Sequence, residues 1–146
     1  MVSFMLRLFM AFCVAVTFFM TAYTLFIIGP AIETRYMPVV SKLTITGISA
    51  DESGNAVVLA EFTKRRECEY LGLAWYRGDP AGGFERVSLI LLRQDGDTSS
   101  PNRPPGTQRS GPWIIGMPPD EVMTNSFALL SHRCHAFWVT TTPFFP

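Results

Sequence analysis

Two patterns of apolar residues divide the chain. From Leu8 to Ile28 the side chains are apolar or weakly polar without interruption, and none is charged. As a helix at about 1.5 Å per residue, this stretch would be roughly 31 Å long, close to the ~30 Å hydrocarbon core of a bilayer. Its apolar residues cover the whole circumference instead of one stripe, so it reads as a single transmembrane helix and not as the inner face of a soluble one. Gly29-Pro30 marks its expected end, because proline does not continue a helix. A cleaved secretory signal with Arg7 as its charged region is the alternative, but the apolar run exceeds the ~7–15 residues of such signals.

Beyond residue 30 the pattern changes. Residues 31–41, AIETRYMPVVS, read as an extended juxtamembrane linker with Tyr36 at the interface. From residue 42 the apolar positions alternate with period two, as in half-buried strands. Expected strands are 42–49 (Leu43 and Ile45 inward), 56–64 (Val58, Ala60 and Phe62 inward), 69–77 (Leu71, Leu73 and Trp75 inward) and 84–94 (Val87, Leu89 and Leu91 inward). Short strands at 113–117, 126–134 and 135–143 follow, with a loop or single helical turn at 118–125. ADESGN and GDPAGG carry the glycine and asparagine of tight turns. The segment 95–112 has no apolar side chain except proline and reads as a long loop. Several short strands without an amphipathic helix predict an antiparallel β-sandwich, with a small barrel as the alternative. The domains are then 1–30, a transmembrane anchor; 31–41, the linker; and 42–146, the all-β domain.

Charge narrows the setting. Lysine and arginine number 12, aspartate and glutamate 12, and the net charge is zero. That leaves no basic field to draw in nucleic acid, and no nucleic-acid partner is expected. Cys13 lies in the apolar run; Cys68 and Cys134 lie in the β-domain. A pair in a domain across a membrane predicts a disulfide, the alternative being two reduced, buried thiols. The flanks of the span differ little in lysine and arginine. The short N-terminus and the cysteine pair favour a cytoplasmic N-terminus and an extracytoplasmic domain at an inner (cytoplasmic) membrane.

Cys68, the Trp75 strand and Cys134 resemble the cysteine–tryptophan–cysteine pattern of immunoglobulin-like domains. The spacing departs from it: Cys68 stands near a strand end, and His132 occupies the place of the corner tyrosine. The resemblance implies an immunoglobulin-like or fibronectin-type architecture and no antibody function. A second resemblance rests on Lys64-Arg65-Arg66-Glu67-Cys68, Arg103-Pro104-Pro105-Gly106-Thr107-Gln108, Gly111-Pro112-Trp113, and Cys134-His135 with Trp138. These are similar to small membrane-anchored proteins of unknown function from bacteriophage and prophage genomes. That resemblance implies a bacterial inner membrane or a virion membrane, and no catalytic residues.

Candidate chemistry is sparse. His132, Cys134 and His135, with Cys68, are the densest potential metal ligands, but alternation sends His132 and His135 to opposite faces of a strand. Glu67 and Glu69 could pair as carboxylates only in a cleft. There is no Gly-x-Ser-x-Gly elbow and no glycine-rich phosphate loop. Arg77-Gly78-Asp79 opens a turn. Lys64-Arg65-Arg66 reads as a solvated strand end balanced by Glu61, Glu67 and Glu69, or as a contact for anionic headgroups. No enzyme, cofactor or metal is expected. The partners expected are the bilayer, through residues 8–28, and a protein. Within 95–112, Arg103 and Arg109 with Trp113 are the candidate partner-binding residues, because arginine and tryptophan concentrate binding energy at interfaces. A plain connector between two sheets is the alternative. The sequence thus points to a membrane-anchored binding or assembly module. A structural membrane subunit of a virion or envelope complex, or an uncharacterised hydrolase, are the other readings.

Overall fold

The computed structural model describes residues 2–92 and 102–146. It begins with one long helix, α1 (Val2–Tyr36). The side chains from Phe4 to Ile28 are exposed on nearly all sides, and the helix is long and apolar enough to cross a membrane. At about 1.5 Å per residue its 35 residues extend roughly 52 Å, well beyond one hydrocarbon core.

The strands are β1 (Thr44–Ala50), β2 (Ala56–Lys64), β3 (Glu69–Asp79), β4 (Gly83–Arg86), β5 (Leu89–Leu91), β6 (Gly106–Ile115), β7 (Ser126–Arg133) and β8 (Thr140–Phe144). A short helix, α2 (Pro119–Thr124), precedes β7. They form two four-stranded antiparallel sheets, ordered β1-β2-β6-β5 and β4-β3-β7-β8. This is compatible with a sandwich, and one apolar core draws on both sheets. Val58 and Ala60 of β2, Trp113 and Ile115 of β6, Trp75 of β3 and Leu130 of β7 are buried in it. Trp75 and Trp113, one from each sheet, meet edge to face at 6.4 Å.

Three irregularities set which side chains face inward. In β3, Tyr70 pairs with His132 and Gly72 with Ser131, so Leu71 is an extra residue. The bulge turns Leu71 outward and Tyr70, Leu73 and Trp75 toward the core, correcting the expected Leu71-Leu73-Trp75 alternation. In β6 the extra residue falls at Gly111-Pro112, opposite Leu59. Gly111 has φ +113°, and a Cβ there would lie 2.6 Å from the Val58 carbonyl oxygen. Only glycine meets both demands. In β1 the register shifts at Thr46, between Ile45 and Gly47.

Several expectations are revised. The helix does not stop at Gly29-Pro30; it continues through Pro30 to Tyr36, so residues 31–36 are helical, not an extended linker. Contacts of its last turns with the sandwich, set out below, outweigh the proline. The expected strand 84–94 divides into β4 in one sheet and β5 in the other, with 93–94 outside the described residues. The chain changes sheets at Val87-Ser88, where Val87 N–H donates to Trp75 O and Gly116 N–H to Ser88 O. Of the expected loop 95–112, residues 95–101 lie outside the described residues, and 106–112 belong to β6. β6 pairs with β2 from Gly106↔Lys64 to Ile115↔Ala56; backbone hydrogen bonds need no apolar side chains, so hydropathy did not mark the strand. The last strand starts at Thr140 and not at His135, because 135–139 fold back against α1.

Candidate functional site

Strand direction gathers distinctive chemistry at one end of the sandwich. β2 ends there at Lys64, β3 starts there after Cys68, and β7 ends there before Cys134. Two features share this end: a junction with α1 and a cavity between the sheets.

The junction is built on Glu33, which is 3% exposed. Its Oε1 accepts from Arg66 Nη1 at 2.6 Å. Its Oε2 accepts from Trp138 Nε1 at 2.7 Å and from the Thr140 hydroxyl at 2.5 Å. His135 Nε2 stands 3.3 Å from the same oxygen, while His135 Nδ1 accepts from Phe137 N–H. With Nδ1 accepting, it is Nε2–H that faces the carboxylate. Burial pushes the Glu33 pKa up; hydrogen bonds from Thr140, Arg66 and Trp138, and the Arg66 charge, outweigh it and hold the carboxyl at about 2. Around this centre, Arg66 also donates to Met37 O, and the Thr34 hydroxyl donates to Thr141 O. Trp138 lies so close to Gly29 that a Cβ there would be 2.7 Å from the indole, and Phe26 meets it edge-on. The β-domain is therefore fixed to the helix by buried charge, hydrogen bonds and aromatic packing together.

The cavity, about 210 Å³, lies between the sheets beside this junction. Leu43, Phe62, Leu73, Leu130, Trp113 and Phe144 supply apolar wall, and its polar lining is Lys64, Tyr70, Arg103, Ser110 and His132. Lys64 follows Val58, Ala60 and Phe62 in the inward series of β2 and is 4% exposed. Its Nζ donates to Cys68 O at 2.9 Å. Burial lowers its pKa, with Glu67 opposing. His132 follows Ala128 and Leu130 in the inward series of β7 and is 3% exposed. Its Nδ1 is buried without a hydrogen-bond partner among the described residues. Burial, then the Lys64 charge, pushes its pKa down to about 4. Burial raises the pKa of Tyr70, whose ring meets His132 edge-on.

The residues singled out in the sequence are distributed as follows. Cys68 and Cys134 form a disulfide, Sγ–Sγ 2.05 Å. It joins the ends of β3 and β7, neighbours in one sheet, and so differs from the antibody-type bridge between sheets. A bridge spanning 66 residues contributes about 4 kcal/mol in the chain-entropy model. His132, Cys134 and His135 do not converge: one faces the cavity, one is bridged, one faces Glu33. Glu69 pairs with Arg133. Of the partner-binding trio, Trp113 is 6% exposed in the core against Trp75, which corrects its reading as a contact residue. Arg103 donates to Arg109 O and lines the cavity. Arg109 projects from β6, exposed, and pairs with Glu61 at 3.1 Å.

The basic run 64–66 is a correction too. Only Arg65 of the three is exposed; Lys64 is interior and Arg66 binds Glu33. Extending the β2 alternation by one step would have placed Lys64 inward. Glu33 had no such signal, since its partners lie 33 to 107 residues away. No protein-family model, curated protein or solved structure matches the chain.

Proposed function

We propose that this chain is a single-pass membrane protein whose extracytoplasmic β-sandwich acts as a binding or assembly module without catalysis. Leu8–Ile28 spans the bilayer, the N-terminus is cytoplasmic, and the membrane is a bacterial inner membrane, with a virion membrane as the alternative. The observation that carries the reading is the Glu33 junction. A helix exposed and apolar on all sides continues without a flexible break into a clamp on the β-domain. Such a clamp holds the domain at a defined height and orientation over the span, which suits a protein that presents a surface and has no need to swing. The disulfide suggests an oxidising, extracytoplasmic location for the domain.

We further propose that the sandwich is of immunoglobulin-like type. Lettered in chain order with β4 as C′, the sheets read A-B-E-D and C′-C-F-G, and the buried Trp75 lies on strand C. In variable domains the B–C and F–G loops form the antigen-reading end. The corresponding segments here carry Arg66, His135 and Trp138, which engage the chain's own helix.

Intact mass of the membrane-fraction protein tests the anchor: residues 8–28 are expected to be present, and a mature chain starting near Ala31 or Ile32 overturns it. External protease tests the orientation. The domain is expected to be cleaved in spheroplasts and not in inverted vesicles; the reverse pattern overturns the topology. Crosslinking in intact membranes tests the module itself. A discrete adduct, with a partner or with a second copy, is expected, and a chain that remains uncrosslinked at all crosslinker concentrations overturns it.

A further inference from the structure

We propose that the cavity between the sheets is a binding site for a straight-chain amphiphile with an anionic head, the chain lying among Phe62, Leu73, Leu130 and Phe144 and the head meeting Lys64 and His132. Three observations carry this. The cavity, about 210 Å³, exceeds the roughly 150 Å³ apolar cavity that admits benzene. Its walls are mostly apolar, and its described lining includes the buried Lys64 and no carboxylate. Its polar groups are also poised for something the described residues do not supply. Among the described residues, His132 is almost wholly buried yet its Nδ1 has no partner, and Lys64 Nζ has one hydrogen bond, to Cys68 O, where an ammonium can donate three.

A buried cation and an orphaned ring nitrogen destabilise a fold unless a ligand or water satisfies them. An anionic head would accept hydrogen bonds from the spare N–H groups of Lys64 and from His132 Nδ1–H, while the chain fills apolar space. The cavity's place in the fold favours an amphiphile over a small polar anion. Val40 bridges to Lys64 and Arg65 N–H donates to Val39 O, so the polar end of the cavity adjoins the segment by which α1 enters the domain. That is where single-chain lipids leaving a bilayer would first meet the sandwich. The site rests on the membrane-anchored binding reading for its setting, but its test is separate: loss of octanoate binding would leave the anchor and topology results untouched.

Carboxylate and phosphate heads share the required chemistry. The full chain, in phosphatidylcholine nanodiscs, would be titrated calorimetrically with octanoate, octyl phosphate and octanol against empty discs. Saturable heat is expected for at least one of the two anions, with octanol at least tenfold weaker. Lys64→Met should cut the affinity for that anion about tenfold and leave octanol unchanged. Leu73→Trp should abolish all three, and Leu130→Phe serves as the second filling variant, each confirmed folded by circular dichroism and by the linked Cys68–Cys134 peptides. Discs doped with oleate distinguish the source: weaker octanoate heat there shows entry from the bilayer, and unchanged heat shows entry from water, either within the proposal. Heat equal to that of empty discs for both anions overturns it. So does undiminished anion affinity in Lys64→Met, or saturable binding that persists in both filled variants.

Discussion

The two ends of the sandwich close in opposite ways. At the end away from α1, the short helix α2 seats Val122 against the core beside Met117 and Ile115, all three at 2% exposure or less. In its core Trp75 Nε1 donates to Ser126 Oγ, which donates to Val122 O, and the ion pair against α2, Arg77 with Glu121 at 2.8 Å, is partly in solvent. At the α1 end, β2, β7 and β8 bring in Lys64, His132 and Thr140, which with Glu33 of α1 are all buried. A dry apolar end is held by non-directional burial and tolerates small changes. A charged interior is held by specific partners, and removing one leaves a costly orphan. The fold therefore carries a robust end and a sensitive one, joined by continuous strands.

The sharpest way to break the contrast is at Glu33. Glu33→Ala leaves Arg66 and the Trp138 and Thr140 donors without their acceptor. Breaking a buried pair costs about 3–5 kcal/mol. Hydrogen exchange should show the loss as release of β8 and the last turns of α1, while β2 and β6 stay protected.

Removing the disulfide is the next test. Serine at both Cys68 and Cys134 should lower stability by about 2–5 kcal/mol in denaturant unfolding, the range for a native bridge in a small secreted domain. Free thiols at both positions in protein from an oxidising compartment would contradict the bridge.

Acid should loosen the α1 end through two buried groups. Glu33 is held near 2, below its unfolded value of 4.5, so its contribution is complete above that value and fades as the pH falls toward 2. His132 is held near 4, below its unfolded 6.5, so the unfolded chain takes up the proton first and acid again favours unfolding. Both signs agree. Between pH 7 and about pH 4 the His132 effect alone is on the order of 3 kcal/mol. His132→Phe should flatten that part of the pH–stability profile. At the opposite end, Val122→Ala should cost about 2 kcal/mol at any pH in this range, because only methyl groups are lost.

The smallest effect is expected on the exposed face. Arg109 and Glu61 form a surface pair with the arginine mostly in solvent. Arg109→Ala should change stability by less than about 0.5 kcal/mol in thermal unfolding. A larger loss would mean that β6 depends on that pair for its register.

How much of this was legible follows from range. The inward residues Val58, Ala60 and Phe62 followed from alternation, which depends only on strand geometry. Leu71 did not, because a one-residue bulge against β7 reverses the face, and a bulge is a property of the pair of strands. Trp113 misled because its residue type suits both an interface and a core. β6 escaped notice where its side chains are polar, since its strand character comes from pairing with β2.

The sequence by itself determined the apolar helix, the β character of the rest, most turns and the cysteines available for a bridge. Each depends on neighbours within a few residues, where periodicity and turn chemistry operate. Tertiary structure alone decided that α1 runs on through Pro30. It also brought Arg66, His135, Trp138 and Thr140 onto one carboxylate, and enclosed Lys64 and His132 beside a cavity. The physical reason is that a buried charge is stable only where partners converge in space. Here that convergence reaches across as many as 107 residues, from Glu33 to Thr140, and no local pattern encodes it.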